Sequence, residues 1–244
     1  MLKRIGLLTV LLMTFLFFCH NASANAVVNT KILEKNTKLI PSGLLATDDP
    51  PTFKSGTMVT LNENGEVIEG ILAYDALLSC IPLIFEENGE KYFRSYKGWF
   101  NKDTKVTFNS RGAVIKGTTI YTIEPWYLNV PLNSSSFIRL KQSTEVSFHS
   151  NGMMAYGTIH SNTYLKPVGW NQITDNGMAG LVQFKGGKKI ELNYKGEVIK
   201  GILNKDTKLM SPNGSLKVYE ADTAVEFDDI GIVVKASKIT SSVN

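Results

Sequence analysis

Nothing in this chain of 244 residues supplies a disulfide, a metal cluster or a recognisable catalytic signature. It has two cysteines. Cys19 falls in an N-terminal leader, so Cys80 has no partner and no intramolecular disulfide can form, even in an oxidising compartment. The surrounding Leu77-Leu78-Ser79-Cys80-Ile81-Pro82-Leu83-Ile84 is apolar almost throughout, which makes Cys80 read as a buried and inert thiol. A nucleophilic thiol needs a base and an electropositive setting, and the neighbourhood offers neither.

Histidine is equally scarce. Beyond the leader only His149 and His160 remain, flanking Asn151-Gly152, and two imidazoles without a third ligand fall short of a zinc site. No serine sits in a nucleophile elbow, no glycine run has phosphate-loop spacing, and no His-Glu helix motif occurs. The expectation is a non-catalytic protein without cofactor or metal. A pair of carboxylates brought together from distant positions, acting on an envelope polymer, stays open as the alternative.

Charge of one sign is also lacking. Lys and Arg number 26 against 22 Asp and Glu, a formal charge of +4, and no basic block stands out, which argues against a nucleic-acid partner. Asp48-Asp49 before Pro50-Pro51, and Asp228-Asp229 in a turn, read as solvated loop chemistry.

Residues 1–24 read as a secretory signal, with Lys3 and Arg4 at the start, an apolar stretch from Ile5 to Phe18 and the small residues Ala22-Ser23-Ala24 at the cleavage site. The apolar stretch, about 14 residues, falls short of the ~20 that span a bilayer as a helix, so cleavage before Asn25 is favoured over retention as an anchor. A lipid anchor on Cys19 needs a small residue before it, where Phe18 stands. No later run is long enough to span. The mature chain, 25–244, is expected to be secreted, periplasmic or surface-located, and to form one domain.

What the chain has in abundance is a repeat. Five times a Leu or Phe is followed four residues later by glycine and five further on by a small residue: Leu61, Gly65 and Gly70; Phe108, Gly112 and Gly117; Phe148, Gly152 and Gly157; Leu192, Gly196 and Gly201; Phe227, Gly231 and Ala236. The residues leading into each unit alternate, as in Thr104-x-Val106-x-Phe108, so this strand is half-buried. Four residues before the Thr or Lys that opens each strand stands Phe53, Phe100, Leu140, Phe184 or Tyr219, which fixes the register of the incoming chain.

The turn fits a three-residue hairpin loop with glycine in the left-handed region and a bulge, although Asn64-Gly65 and Asn151-Gly152 also suit tighter two-residue turns. The second strand opens with two apolar residues, such as Val67-Ile68 or Val114-Ile115, which point to opposite faces of a regular strand. Either both faces are covered or a bulge returns the second residue to the core. The small residue that follows suggests a bend or a close backbone approach.

Between hairpins run connectors of variable length, three of them carrying a Leu eight positions after the second glycine, Leu78, Leu165 and Leu209. The segment from Ile32 to Leu39 mirrors Ile202 to Leu209, so the array opens on half a unit and closes after Ile239 before the complementary half. These features specify an all-β fold, an elongated antiparallel array of about five hairpins with turns at Gly65, Gly112, Gly152, Gly196 and Gly231, either an open sheet or a roll. Self-association through the array ends is a further expectation.

All three tryptophans fall in successive connectors: Trp99 after Gly98, Trp126 beside Tyr127, and Trp170 after Gly169. Exposed indoles on a repeating scaffold stack on sugars or on a partner's side chains, and Trp99, Trp126, Tyr127 and Trp170 are therefore the candidate ligand-binding residues. The opposing reading is that each ring folds back to cover the sheet.

The unit Thr-x-Val-x-Phe-x-x-x-Gly-x-Val-Ile-x-Gly, clearest from Thr104 to Gly117, resembles the hairpin repeats of exported bacterial proteins that are mostly uncharacterised, and is distantly similar to MORN-type repeats. That resemblance implies an elongated single sheet. With the leader, it points to a non-catalytic protein of the cell surface or periplasm whose partner is an envelope protein or polysaccharide; an envelope-polymer enzyme and a structural or assembly protein are the alternatives.

Overall fold

A computed structural model describes residues 29–44, 49–87, 90–94, 96–121, 138–172 and 180–239. The leader 1–24 and the candidates Trp126 and Tyr127 lie outside the described residues. Apart from one 3₁₀ turn at Trp170–Gln172, the regular structure described is all strand.

The five repeats form five hairpins of one antiparallel sheet: Met58–Leu61 with Val67–Ile71, Lys105–Phe108 with Val114–Thr118, Glu145–Phe148 with Met154–Thr158, Lys189–Leu192 with Val198–Ile202, and Thr223–Phe227 with Val233–Lys238. Asn29–Ile32 pairs with the first of these strands and completes an 11-stranded sheet, which is unclosed. Successive hairpins pair in the order of the sequence, so the sheet is a meander interrupted by connectors.

Each turn uses the same hydrogen bonds. In the first, Asn62 N–H donates to the Glu66 carbonyl and Gly65 N–H to the Asn62 carbonyl, enclosing three loop residues, with Gly65 at φ 77°. The turn ending at Gly152 closes the same way, from His149 to Met153, so neither Asn-Gly pair adopts the two-residue form. At Asn62, Asn109, Asn193 and Asp228 the side-chain Oδ1 accepts two further backbone N–H groups of the turn. His149 departs, directing Nε2 to the Leu192 carbonyl of the next hairpin at 2.8 Å.

The paired apolar residues are resolved by a bulge. Leu61 pairs with Val67 but Thr60 with Glu69, which leaves Ile68 as the extra residue, and the same one-residue shift recurs in all five hairpins. The extra residue reverses the alternation, so Val67 and Gly70, three apart, both face the core. There the second glycine receives the ring of the incoming chain. A Cβ on Gly70 would stand 2.5 Å from Phe53 Cδ1, and the contact repeats between Gly117 and Phe100 and between Gly201 and Phe184.

A second left-handed position precedes each strand, occupied by Gly56, Asp103, Ser143, Gly187 and Asp222. Its N–H donates back to the preceding repeat, as from Asp103 to the Leu72 carbonyl at 2.8 Å and from Ser143 to the Thr119 carbonyl at 2.8 Å. The Thr that follows turns its hydroxyl to the carbonyl three residues earlier, from Thr57 to Lys54 and from Thr104 to Asn101. That bond accounts for the threonine of the repeat.

The described parts of the connectors lie over one face of the sheet, largely as short two-stranded pieces, and a continuous buried cluster running from Leu33 to Val233 fills the space between. Connector and hairpin are joined by parallel bridges, Pro41 to Val67, Cys80 to Val114 and Pro167 to Val198. The same segments also reach one hairpin further: Gly43 lies against the Ser110-Arg111 backbone, and Gly169 against Ile230-Gly231. The opposite face of the sheet is polar, with cross-strand pairs such as Lys105–Glu69 at 2.7 Å and Lys116–Glu145 at 3.3 Å. Exposed pairs of this kind contribute about 0–1 kcal/mol each and keep that face in water.

Candidate functional site

The first two connectors meet in a cleft of about 370 Å³. One wall belongs to the two-stranded piece formed by Ala76–Ser79 and Lys97–Phe100. In its register Leu77 faces Trp99, so the two side chains share a face, and both point outward, Leu77 47 % and Trp99 43 % exposed. Leu78 and Phe100, one residue on, turn into the core. The apolar run around Cys80 is thus not buried as a block: strand alternation turns Leu77 outward, while Leu78, Cys80 and Ile81 stay buried.

Tyr74, 60 % exposed, lines the same cleft, with Pro50 and Pro51 on the facing wall. Three charged side chains border it. Lys38 Nζ lies 2.7 Å from Asp49 Oδ1, and Asp75 Oδ1 accepts the Lys102 backbone N–H at 2.8 Å. A smaller cavity of about 180 Å³ shares Asp49, Pro51, Leu77 and Leu78 with the cleft, so the two form one trough along that ridge, ending near Lys97 and Gly112. Apolar walls with a few polar groups at the rim are the usual make-up of a ligand site, and typical sites span about 300–1,000 Å³.

Beneath the cleft the titratable groups are chemically quiet. Burial pushes the Cys80 thiol up to about 12, and burial together with that neighbouring thiol raises the Tyr96 hydroxyl well above its ordinary value. Among the described residues the enclosed Tyr96 hydroxyl has no hydrogen-bond partner in good geometry, and its ring packs edge-on against Phe148 with centroids 5.9 Å apart. Cys80 is a packing residue here, linking a connector to the second hairpin.

Trp170 is placed differently from Trp99. It opens the 3₁₀ turn of a later connector, is half-buried, and has Lys166 Nζ 4.2 Å from its ring centroid; the Gly180 backbone closes against it. Of the two described tryptophans, then, one faces out over a cleft and one is partly covered and held by a cation. His149 opens the turn of the third hairpin and His160 follows its second strand, and among the described residues no three His, Cys, Asp or Glu side chains gather as a metal site. No helix among them is long and apolar enough to cross a membrane.

Lys38, Tyr74, Asp75 and Leu77 carried no signal in the sequence, because the cleft exists only where two connectors fold side by side. The Asp49-Pro50-Pro51 segment is visible as a loop but not as a wall. Comparison with protein-family models, with curated proteins and with solved structures finds no match for this chain.

Proposed function

We propose that this chain is an exported, non-catalytic repeat protein of the cell surface or periplasm that binds an envelope partner, protein or polysaccharide, through its connector face. The observation that carries the reading is the outward pair Leu77–Trp99, with Tyr74 beside it, on a rigidly bridged connector. Large aromatic surface left in water over a concave site is characteristic of recognition. The carboxylates at the rim suit binding better than acid–base work, since Asp49 is exposed and paired with Lys38, and Asp75 is exposed and accepts a backbone N–H. The leader's composition supports export, and the hairpin pattern supports kinship with MORN-like repeats.

An assembly role through the sheet edges is less favoured. Lys31 stands exposed on the first edge strand opposite Val59, and Lys238 on the last opposite Thr223, and charged side chains on edge strands oppose pairing with another sheet.

The test has two parts. N-terminal sequencing of exported protein is expected to begin at Asn25; a start at Met1 argues against the signal. Mature protein is expected to co-sediment with a bacterial envelope fraction, and Trp99→Ala to lose that association with an unchanged thermal melt. Equal association of the variant would remove the cleft from the reading.

A further inference from the structure

Resting on the binding role just proposed, we infer that the trough takes an uncharged polysaccharide chain, with one sugar ring seated on Trp99. A pyranose has an apolar C–H face and a rim of hydroxyls, and the trough offers both complements. Trp99 supplies a partly exposed ring with Leu77 opposite it in the strand pair, and Tyr74 a second exposed ring. Asp49, Asp75 and Lys38 stand at the rim, where the carboxylates accept hydroxyl protons and the ammonium donates to ring or hydroxyl oxygens.

Charge narrows the class further. Across the whole trough the carboxylates of Asp49 and Asp75 stand against the ammonium groups of Lys38 and Lys97, so it carries no net charge to attract polyuronates, phosphate-linked envelope polymers or nucleic acids. Shape separates a polymer from a globular partner. The cleft and the smaller cavity run on from one another past Leu77 and Leu78, which suits an extended chain, whereas a protein partner needs about 800 Å² of matching surface per side.

The experiment uses the mature protein and measures binding by isothermal titration to soluble oligomers of glucan, mannan and chitin, with a polyuronate oligomer as the anionic control. At least one neutral oligomer is expected to bind, and the polyuronate not to. Trp99→Ala should weaken binding roughly tenfold or more while Trp99→Phe retains most of it, since a smaller ring still stacks. Asp49→Asn and Asp75→Asn should each weaken it a fewfold. Because each variant keeps the core residues Leu78 and Phe100, an unchanged melt separates a lost ligand contact from lost folding.

Failure of every neutral oligomer to bind, tighter binding of the polyuronate, or wild-type affinity in Trp99→Ala overturns the inference. If envelope association survives removal of the glycan but is lost on protease treatment of the envelope, the partner is a protein: the binding role stands and the polysaccharide falls. If neither envelope nor glycan is bound, both fall together.

Discussion

The second and third hairpins perform the same packing with different side chains. In the second, Phe100 lies over Gly117, Asp103 holds the left-handed corner at φ 61°, and Asn109 opens the turn; in the third these positions are Leu140, Ser143 at φ 57° and His149. The backbone is unchanged: the bulge, the turn closure and the corner N–H bond are the same in both. Backbone geometry therefore defines the repeat, and side chains are admitted as far as they tolerate it. Glycine at the second position answers to the ring above it, since a Cβ on Gly117 would meet Phe100 Cδ1 at 2.6 Å, while one on Gly157 would meet only the ends of Leu140 and Met154 at 3.0–3.1 Å.

The largest effect should come from that glycine. Gly117→Ala is expected to destabilise by about 1–3 kcal/mol in urea unfolding, because the Phe100 ring is fully buried and has little room to yield, and Gly157→Ala by clearly less. Adding Phe100→Leu to Gly117→Ala should recover part of the loss. Equal costs at the two glycines would show that backbone freedom, and not the ring, sets the requirement.

Next comes the corner. Serine in the left-handed region is strained and glycine is not, so Ser143→Gly should raise stability by about 0.5–1 kcal/mol. Asp103→Gly should gain less or nothing, because it also removes the ion pair with Lys54. A stabilisation at Asp103 matching that at Ser143 would mean that the pair contributes nothing.

The smallest effect is the pH dependence of that pair. Hydrogen bonding from Lys54, with the lysine charges nearby, holds the Asp103 carboxyl below its ordinary value. A lowered folded pKa contributes stability that is present above the unfolded carboxylate value, about 4, and lost as pH falls through the folded value. The advantage of the wild type over Asp103→Asn, read as the urea midpoint, should therefore be present at pH 7 and shrink progressively as pH falls below about 4, whereas Ser143→Asn should show no such pH-linked difference. Identical pH profiles for the two variants would break this part of the comparison.

Much of the hairpin layer was legible in the chain itself. The glycine spacing locates all five turns, the alternation before each turn identifies the half-buried strand, and the constant spacing of Phe53, Phe100, Leu140 and Phe184 marks them as register residues, though not the glycines they pack on. The left-handed corner is not legible in the sequence because Gly, Asp and Ser share it, leaving a conformation in common and no residue type.

What the sequence determined by itself was the repeating backbone, since positive φ at a turn glycine and strand alternation are local requirements written into neighbouring residues. Only the tertiary structure decided between two covered faces and a bulge, because that choice depends on which side the connectors occupy. The candidate site is likewise a tertiary fact. Lys38, Asp49, Tyr74 and Trp99 come together through connectors folded side by side, and the outward turn of Leu77 from an apolar run follows from its pairing with Trp99 across a register that no local pattern specifies.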